Sequence, residues 1–142
     1  MVIGLLKRGI YGMQSDKGTD FIRLTDDVFS RTFSNNIKRV SECANYQHMG
    51  FYKLVYKYEP QNLIVEFESY QGVFDIYISD DEGARSSLYR IKKYNAETNE
   101  SNIENAINLL KEVLINDKLD LLVTKGSKVY KKKNGKLTRI RV

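Results

Sequence analysis

The sequence predicts an α+β fold: an antiparallel β-sheet with helices packed mainly on one of its faces. Three observations predict it. Residues 51–79 read as three strands whose registers agree with one another. Residues 101–117 carry an apolar stripe at helical spacing behind the capping pattern Ser101-x-x-Glu104. Residues 127–142 read as a hairpin around Asn134-Gly135, the strongest short hairpin signal in the chain.

With 142 residues, 42% of them hydrophobic and 29% charged, the chain has the size and composition of one soluble domain spanning 1–142. Residues 1–24 are ambiguous. Gly9, Gly12 and Gly18 argue against one long helix, and Asp16-Lys17-Gly18 resembles a turn joining Ile10–Gln14 to Thr19–Leu24 as a hairpin. Val2-Ile3-Gly4-Leu5-Leu6 suits the opening of either a helix or a strand. The apolar stretch within Met1–Ile10, broken by Gly4, Lys7 and Arg8, is too short for a secretory core, and no stretch is long and apolar enough to span a bilayer. The expectation is a cytoplasmic protein, which the single cysteine, Cys43, also fits.

A helix is expected over residues 26–45. Thr25 suits its N-cap and Asp26 and Asp27 its first turn, while Phe29, Phe33, Ile37, Val40 and Ala44 fall on one face. Ser34-Asn35-Asn36 weakens the middle of it.

The meander follows. With Gln71-Gly72 as a two-residue loop, Ser69 opposes Phe74, Phe67 opposes Ile76 and Val65 opposes Ile78. With Glu59-Pro60-Gln61-Asn62 as the preceding loop, Tyr58 opposes Leu63, Tyr56 opposes Val65, Leu54 opposes Phe67 and Tyr52 opposes Ser69. Two turns chosen independently define one apolar face, and a slip of one residue in either would invert it. Asp80-Asp81-Glu82-Gly83 is an acidic turn without the alternating oxygen ligands of a calcium loop. A fourth strand is expected near 87–94. The helix over 101–117 buries Ile103, Ala106, Ile107, Leu110, Val113 and Leu114. Leu121–Thr124 is a short strand before the hairpin.

Two surfaces attract a functional reading. The outer face of the meander gathers Glu66, Glu68, Tyr70, Asp75 and Tyr77, an acidic and aromatic patch suited to a basic partner or a metal ion. The simpler reading is the solvated side of a half-buried sheet. The C-terminal end is the opposite. Residues 125–142 hold eight Lys or Arg and no Asp or Glu, so of the 23 basic side chains 15 remain in residues 1–124 against 18 acidic ones, a net of −3. In the hairpin, Lys128, Tyr130, Lys132, Arg139 and Arg141 share a face with Leu137, and Lys131, Lys133 and Lys136 sit at the tip. The other face (Val129, Thr138, Ile140, Val142) would dock on the body. Such a ribbon fits a nucleic-acid groove or an acidic protein, and lysine also protects sheet edges from aggregation.

Catalytic signatures are weak. Cys43 and His48 are near in sequence, but nothing specifies a nucleophile–base geometry. No P-loop, dinucleotide turn, nucleophile elbow or metal-ligand spacing occurs, so no cofactor and no metal is expected. In size and architecture the chain resembles the small single-domain proteins of bacteria and phages, including toxin-immunity proteins and inhibitors of host defence systems. The resemblance implies a non-enzymatic protein-binding module and carries over no residues. The alternative is a nucleic-acid-binding protein that uses the ribbon.

Overall fold

The computed structural model describes residues 9–141, with side chains from Asp20 onward. It is an α+β fold in which eight antiparallel strands form one sheet, with the two long helices packed against its apolar face. Each strand lies beside its sequence neighbour, so the sheet is an uninterrupted meander. The strands are β1 (Ile37–Asn45), β2 (Phe51–Tyr58), β3 (Leu63–Tyr70), β4 (Val73–Ser79), β5 (Arg85–Ser87), β6 (Leu121–Lys125), β7 (Lys128–Lys133) and β8 (Lys136–Ile140). The helices are α1 (Gly9–Phe33), the single-turn α2 (Leu88–Ile91) and α3 (Glu100–Ile115).

The central register is the one that the sequence predicts. Tyr56 pairs with Val65, Leu54 with Phe67, Phe67 with Ile76 and Val65 with Ile78. The Gln71-Gly72 and Asn134-Gly135 turns each place both residues at positive φ (54° and 81°, 52° and 77°), the conformation that matches the twist of a two-residue hairpin. Burial alternates strictly along β2 and β3, so one side of the sheet is apolar core and the other faces water.

Aromatic rings fill the space beneath the helices. Phe29 of α1 stacks on Tyr56 at 4.1 Å and meets Phe67 edge-on at 6.3 Å. Phe67 also stacks with Tyr52 at 5.8 Å and Phe74 at 5.0 Å. Two phenol groups on this face find hydrogen-bond partners. Tyr56 donates to Asp26 at 2.8 Å, and Tyr52 lies 3.1 Å from the Thr25 hydroxyl. From α3 the core receives Ile103, Ala106, Ile107, Leu110, Val113 and Leu114, the predicted stripe. The N-cap of α3 is Asn99, which accepts from the Asn102 N–H at 2.8 Å, rather than Ser101.

Three expectations change. The turn and hairpin within 10–24 are replaced by α1, because burial of Thr25, Val28, Phe29 and Phe33 outweighs the helix cost of the glycines. The reading of Val2–Leu6 lies outside the described residues. The helix expected over 26–45 ends at Phe33. Ser34 takes a positive φ (52°), Ser34–Asn36 form a 3₁₀ turn, and Ile37–Asn45 is edge strand β1. Val40, which continued the helical period, is the bulged residue between Arg39 and Ser41 and is exposed.

The strand expected near 87–94 is mostly replaced as well. Only β5 pairs there, and Ser87 then caps α2 by accepting from the Arg90 N–H at 3.2 Å. Leu88, buried beneath this turn, anchors it to the core. The chain then returns along the other half of β4, where Phe74 N–H donates to Ala96 and Thr98 N–H donates to Gly72, both at 2.9 Å.

Candidate functional site: a groove of tyrosines and carboxylates

The outer side of the sheet carries a groove of about 510 Å³. Its floor is set by the pairing of β3 with β4, where Glu68 lies opposite Asp75 and Tyr70 opposite Val73. Tyr77 closes one end, and Tyr89 of α2 and Tyr94 of the return segment form the far wall. Alternation along two paired strands brings Glu68, Tyr70, Asp75 and Tyr77 to one face, as the sequence register predicts. Tyr89 and Tyr94 are not foreseen from the sequence. They arrive because α2 turns the chain back over β4, and Ser87, a good N-cap residue, is the one local sign of that turn.

The tyrosines are held in place. Tyr94 stacks on Phe74 at 5.5 Å, meets Tyr89 edge-on at 5.4 Å, and donates its hydroxyl to Asp75 at 3.1 Å. Burial, then the Asp75 charge, push the Tyr94 phenol well above its ordinary pKa, so it remains a hydrogen-bond donor at neutral pH. Burial and Asp75 push Tyr77 in the same direction. At the opposite end Tyr70 is 38% exposed and is flanked by Phe51 and His48, with ring centroids at 6.4 and 5.8 Å.

Glu66 does not share this environment. It lies one pair further along the same face, where Lys53 and Arg85 each reach it at 3.0 Å. Burial alone would raise its pKa, but the two cations outweigh that and hold the carboxyl below its usual range. Lys53 is opposite Glu68 in register yet bonds Glu66. Among the described residues Glu68 and Asp75 form no ion pair, although they sit directly opposite each other. No group of three or more His, Cys, Asp or Glu that could hold a metal ion comes together among the described residues. Cys43 is exposed on β1, His48 lies against Tyr70, and no hydrogen bond joins them.

The basic ribbon forms the other surface. Its internal register follows the sequence, with Lys132 opposite Leu137 and Tyr130 opposite Arg139. Its orientation differs from the expectation. Leu121, which is buried, pairs with Lys132, and Val123 pairs with Tyr130. The face holding Tyr130, Lys132, Leu137 and Arg139 therefore continues the core side, and Val129, Thr138 and Ile140 point to the outer side. Val142 lies outside the described residues.

Lys132 is withdrawn from the surface. Its side chain is 18% exposed and bonds Asp80 at 2.7 Å and also Glu82. These carboxylates raise its pKa, with Asp80 first. Asn134 at the tip donates to Asp117 at 3.1 Å. Tyr130 is half-buried, which limits its use as a stacking platform. Lys128, Lys131, Lys133, Lys136, Arg139 and Arg141 make no ion pair among the described residues.

No helix among the described residues is long and apolar enough to cross a membrane. No protein-family model matches the chain, and neither a curated protein nor a solved structure matches it.

Proposed function

We propose that this protein is a non-enzymatic protein-binding module of the immunity-protein or inhibitor kind, acting in the cytoplasm by covering a surface of one partner. The observation that carries this reading is the groove on the outer sheet face. It sets exposed tyrosine rings around two carboxylates on paired strands. Tyrosine in a concave, partly desolvated setting is the residue type that concentrates binding energy at protein interfaces. A sheet already ordered by its core loses little entropy on docking. The exposed apolar side chains at its lip, Tyr70, Val73 and Tyr89, add contact area.

The test places a photo-crosslinking amino acid at Val73 or Tyr70, and at Ile115 of α3 as a control, in the protein's own cells. The expected result is one discrete protein adduct from the groove positions and none from Ile115. No adduct, or the same adducts from all three positions, would overturn the reading.

A second reading keeps the ribbon as a nucleic-acid contact, supported by its six cations that lack an intramolecular carboxylate partner among the described residues. Its test is a titration of single- and double-stranded DNA and RNA at two salt concentrations. Binding that falls steeply with salt and is lost in a folded Lys131→Glu/Lys133→Glu/Arg139→Glu variant would favour it. No binding at low salt would remove it.

A further inference from the structure

We infer that the groove takes an arginine side chain from a basic segment of the partner, with the guanidinium stacked on its tyrosine rings and hydrogen-bonded to Glu68 and Asp75. This rests on the protein-binding reading and names the group that the groove recognises.

The same sheet face already performs this chemistry once. Arg85 lays its guanidinium carbon 4.2 Å from the centre of the Tyr77 ring while its Nη2 bonds Glu66 at 3.0 Å. Glu66 and Tyr77 are directly opposite in register. The next pair on that face is Glu68 with Asp75. It too is bordered by tyrosines, and among the described residues no cation pairs with it. Two carboxylates directly across a ladder repel each other, so a cation shared between them relieves a cost built into the fold.

Guanidinium fits better than the alternatives. It is planar and weakly hydrated, and it stacks on an aromatic face while its N–H groups bond carboxylates in the ring plane. A lysine ammonium is strongly hydrated and uses only a point charge. Calcium takes six to eight oxygen ligands, and the groove supplies two carboxylates and a phenol that is itself a donor to Asp75. The groove volume of about 510 Å³ exceeds one guanidinium and accommodates the arginine stem with flanking backbone.

The test is a titration of the ¹⁵N-labelled full chain with three blocked peptides, Gly-Arg-Gly, Gly-Lys-Gly and Gly-citrulline-Gly, followed by NMR. The arginine peptide is expected to shift the amides of residues 68–77 and 94–96 with a millimolar dissociation constant. The lysine peptide should bind about fivefold more weakly or worse, and the uncharged citrulline peptide should give no saturable shift. In Glu68→Gln/Asp75→Asn the arginine affinity should fall about tenfold or more. Tyr89→Ala, at an exposed position, should also weaken it and serves as the second variant if the double variant does not fold. Equal binding of citrulline or lysine, or unchanged affinity in the variants, would overturn the inference.

If crosslinking from Val73 finds a partner while the arginine peptide does not bind, this inference falls and the protein-binding reading stands. If the peptide binds but no partner is crosslinked, the arginine site stands and the protein-binding reading falls. Self-association abolished by Arg139→Gln/Arg141→Gln would make the occupant a second copy of this chain and overturn a foreign partner.

Discussion

Phe67→Ala is the most informative test of the sheet. Phe67 is fully buried on β3 and touches three other rings, Phe29, Tyr52 and Phe74, at centroid distances of 5.0 to 6.3 Å. Truncating a buried phenylalanine to alanine costs about 3–5 kcal/mol, because the transfer energy of the ring is lost and the cavity relaxes only in part. The rigid sheet on one side and two packed helices on the other leave little room for collapse, so about 4 kcal/mol is expected.

For 142 residues the unfolding entropy near the midpoint is about 0.3 kcal/mol per kelvin, and the loss corresponds to a fall in Tm of about 13 °C. Urea denaturation followed by circular dichroism gives the free energy, and a thermal scan gives the midpoint. The control is Glu68→Ala, the next residue and on the opposite face. It should change stability by no more than about 0.5 kcal/mol, since it removes a like-charge contact with Asp75 as well as its own hydration. A Phe67→Ala loss below about 1 kcal/mol, or equal losses in both variants, would refute the register and the placement of the core face.

Thr25→Val should cost about 1–3 kcal/mol in urea denaturation. The fully buried hydroxyl donates to the Phe21 carbonyl at 2.7 Å and meets Tyr52, so the isosteric methyl leaves polar groups short of partners. Thr25→Ser should retain most of that stability. The pH profile should fall at both ends. Burial alone would raise the Asp80 pKa, but Lys132 and the N–H groups of Glu82 and Ala84 hold it below the usual range. A depressed carboxyl stabilises the fold above its unfolded pKa and loses that contribution as pH drops through the folded value, so Asp80→Asn should flatten the acid limb of Tm against pH. At the other end burial pushes the Tyr52 phenol up to about 12. Its contribution is complete below the unfolded value of 10.0 and is lost as pH rises toward 12, and Tyr52→Phe should delay the alkaline loss.

The parts of this fold that are legible in the sequence are those governed by neighbours. Strand alternation and three turn signals suffice for the pairing from Tyr52 to Ile78 and for the internal register of the ribbon. A stripe at 3.6 spacing suffices for α3. The misreadings arise where distant contacts decide. Phe33 and Ile37 are both buried and four apart, which suits a helix, but Ser34 reverses the backbone between them and Ile37 begins a strand. The ribbon has some apolar residues on both sides, so its own pattern leaves open which side joins the core. The Leu121–Lys132 pairing decides it, and Asp80 and Glu82, roughly fifty residues earlier, then capture the lysine. The groove divides the same way. Glu68, Tyr70, Asp75 and Tyr77 follow from alternation, whereas Tyr89 and Tyr94 depend on a chain reversal without a sharp local code.

The eight strands are not joined with equal strength. Between β5 and β6 the ladder narrows to one residue pair, Arg85 with Leu122. Side chains reinforce that seam: Arg90 bonds the Asp120 carboxylate and carbonyl, and Lys132 bonds Asp80 and Glu82. The molecule is thus two plates, one stitched by backbone and buried rings, the other fastened to it by charged rivets, the buried side chain of Leu121 and the half-buried Val123. Acid neutralises the carboxylates of these rivets, whereas the rings that fill the larger plate have no charge to lose. The smaller plate, which carries most of the excess positive charge, is therefore the part of the sheet whose attachment depends most on charge, and parting it from the rest would uncover Leu121 and Val123.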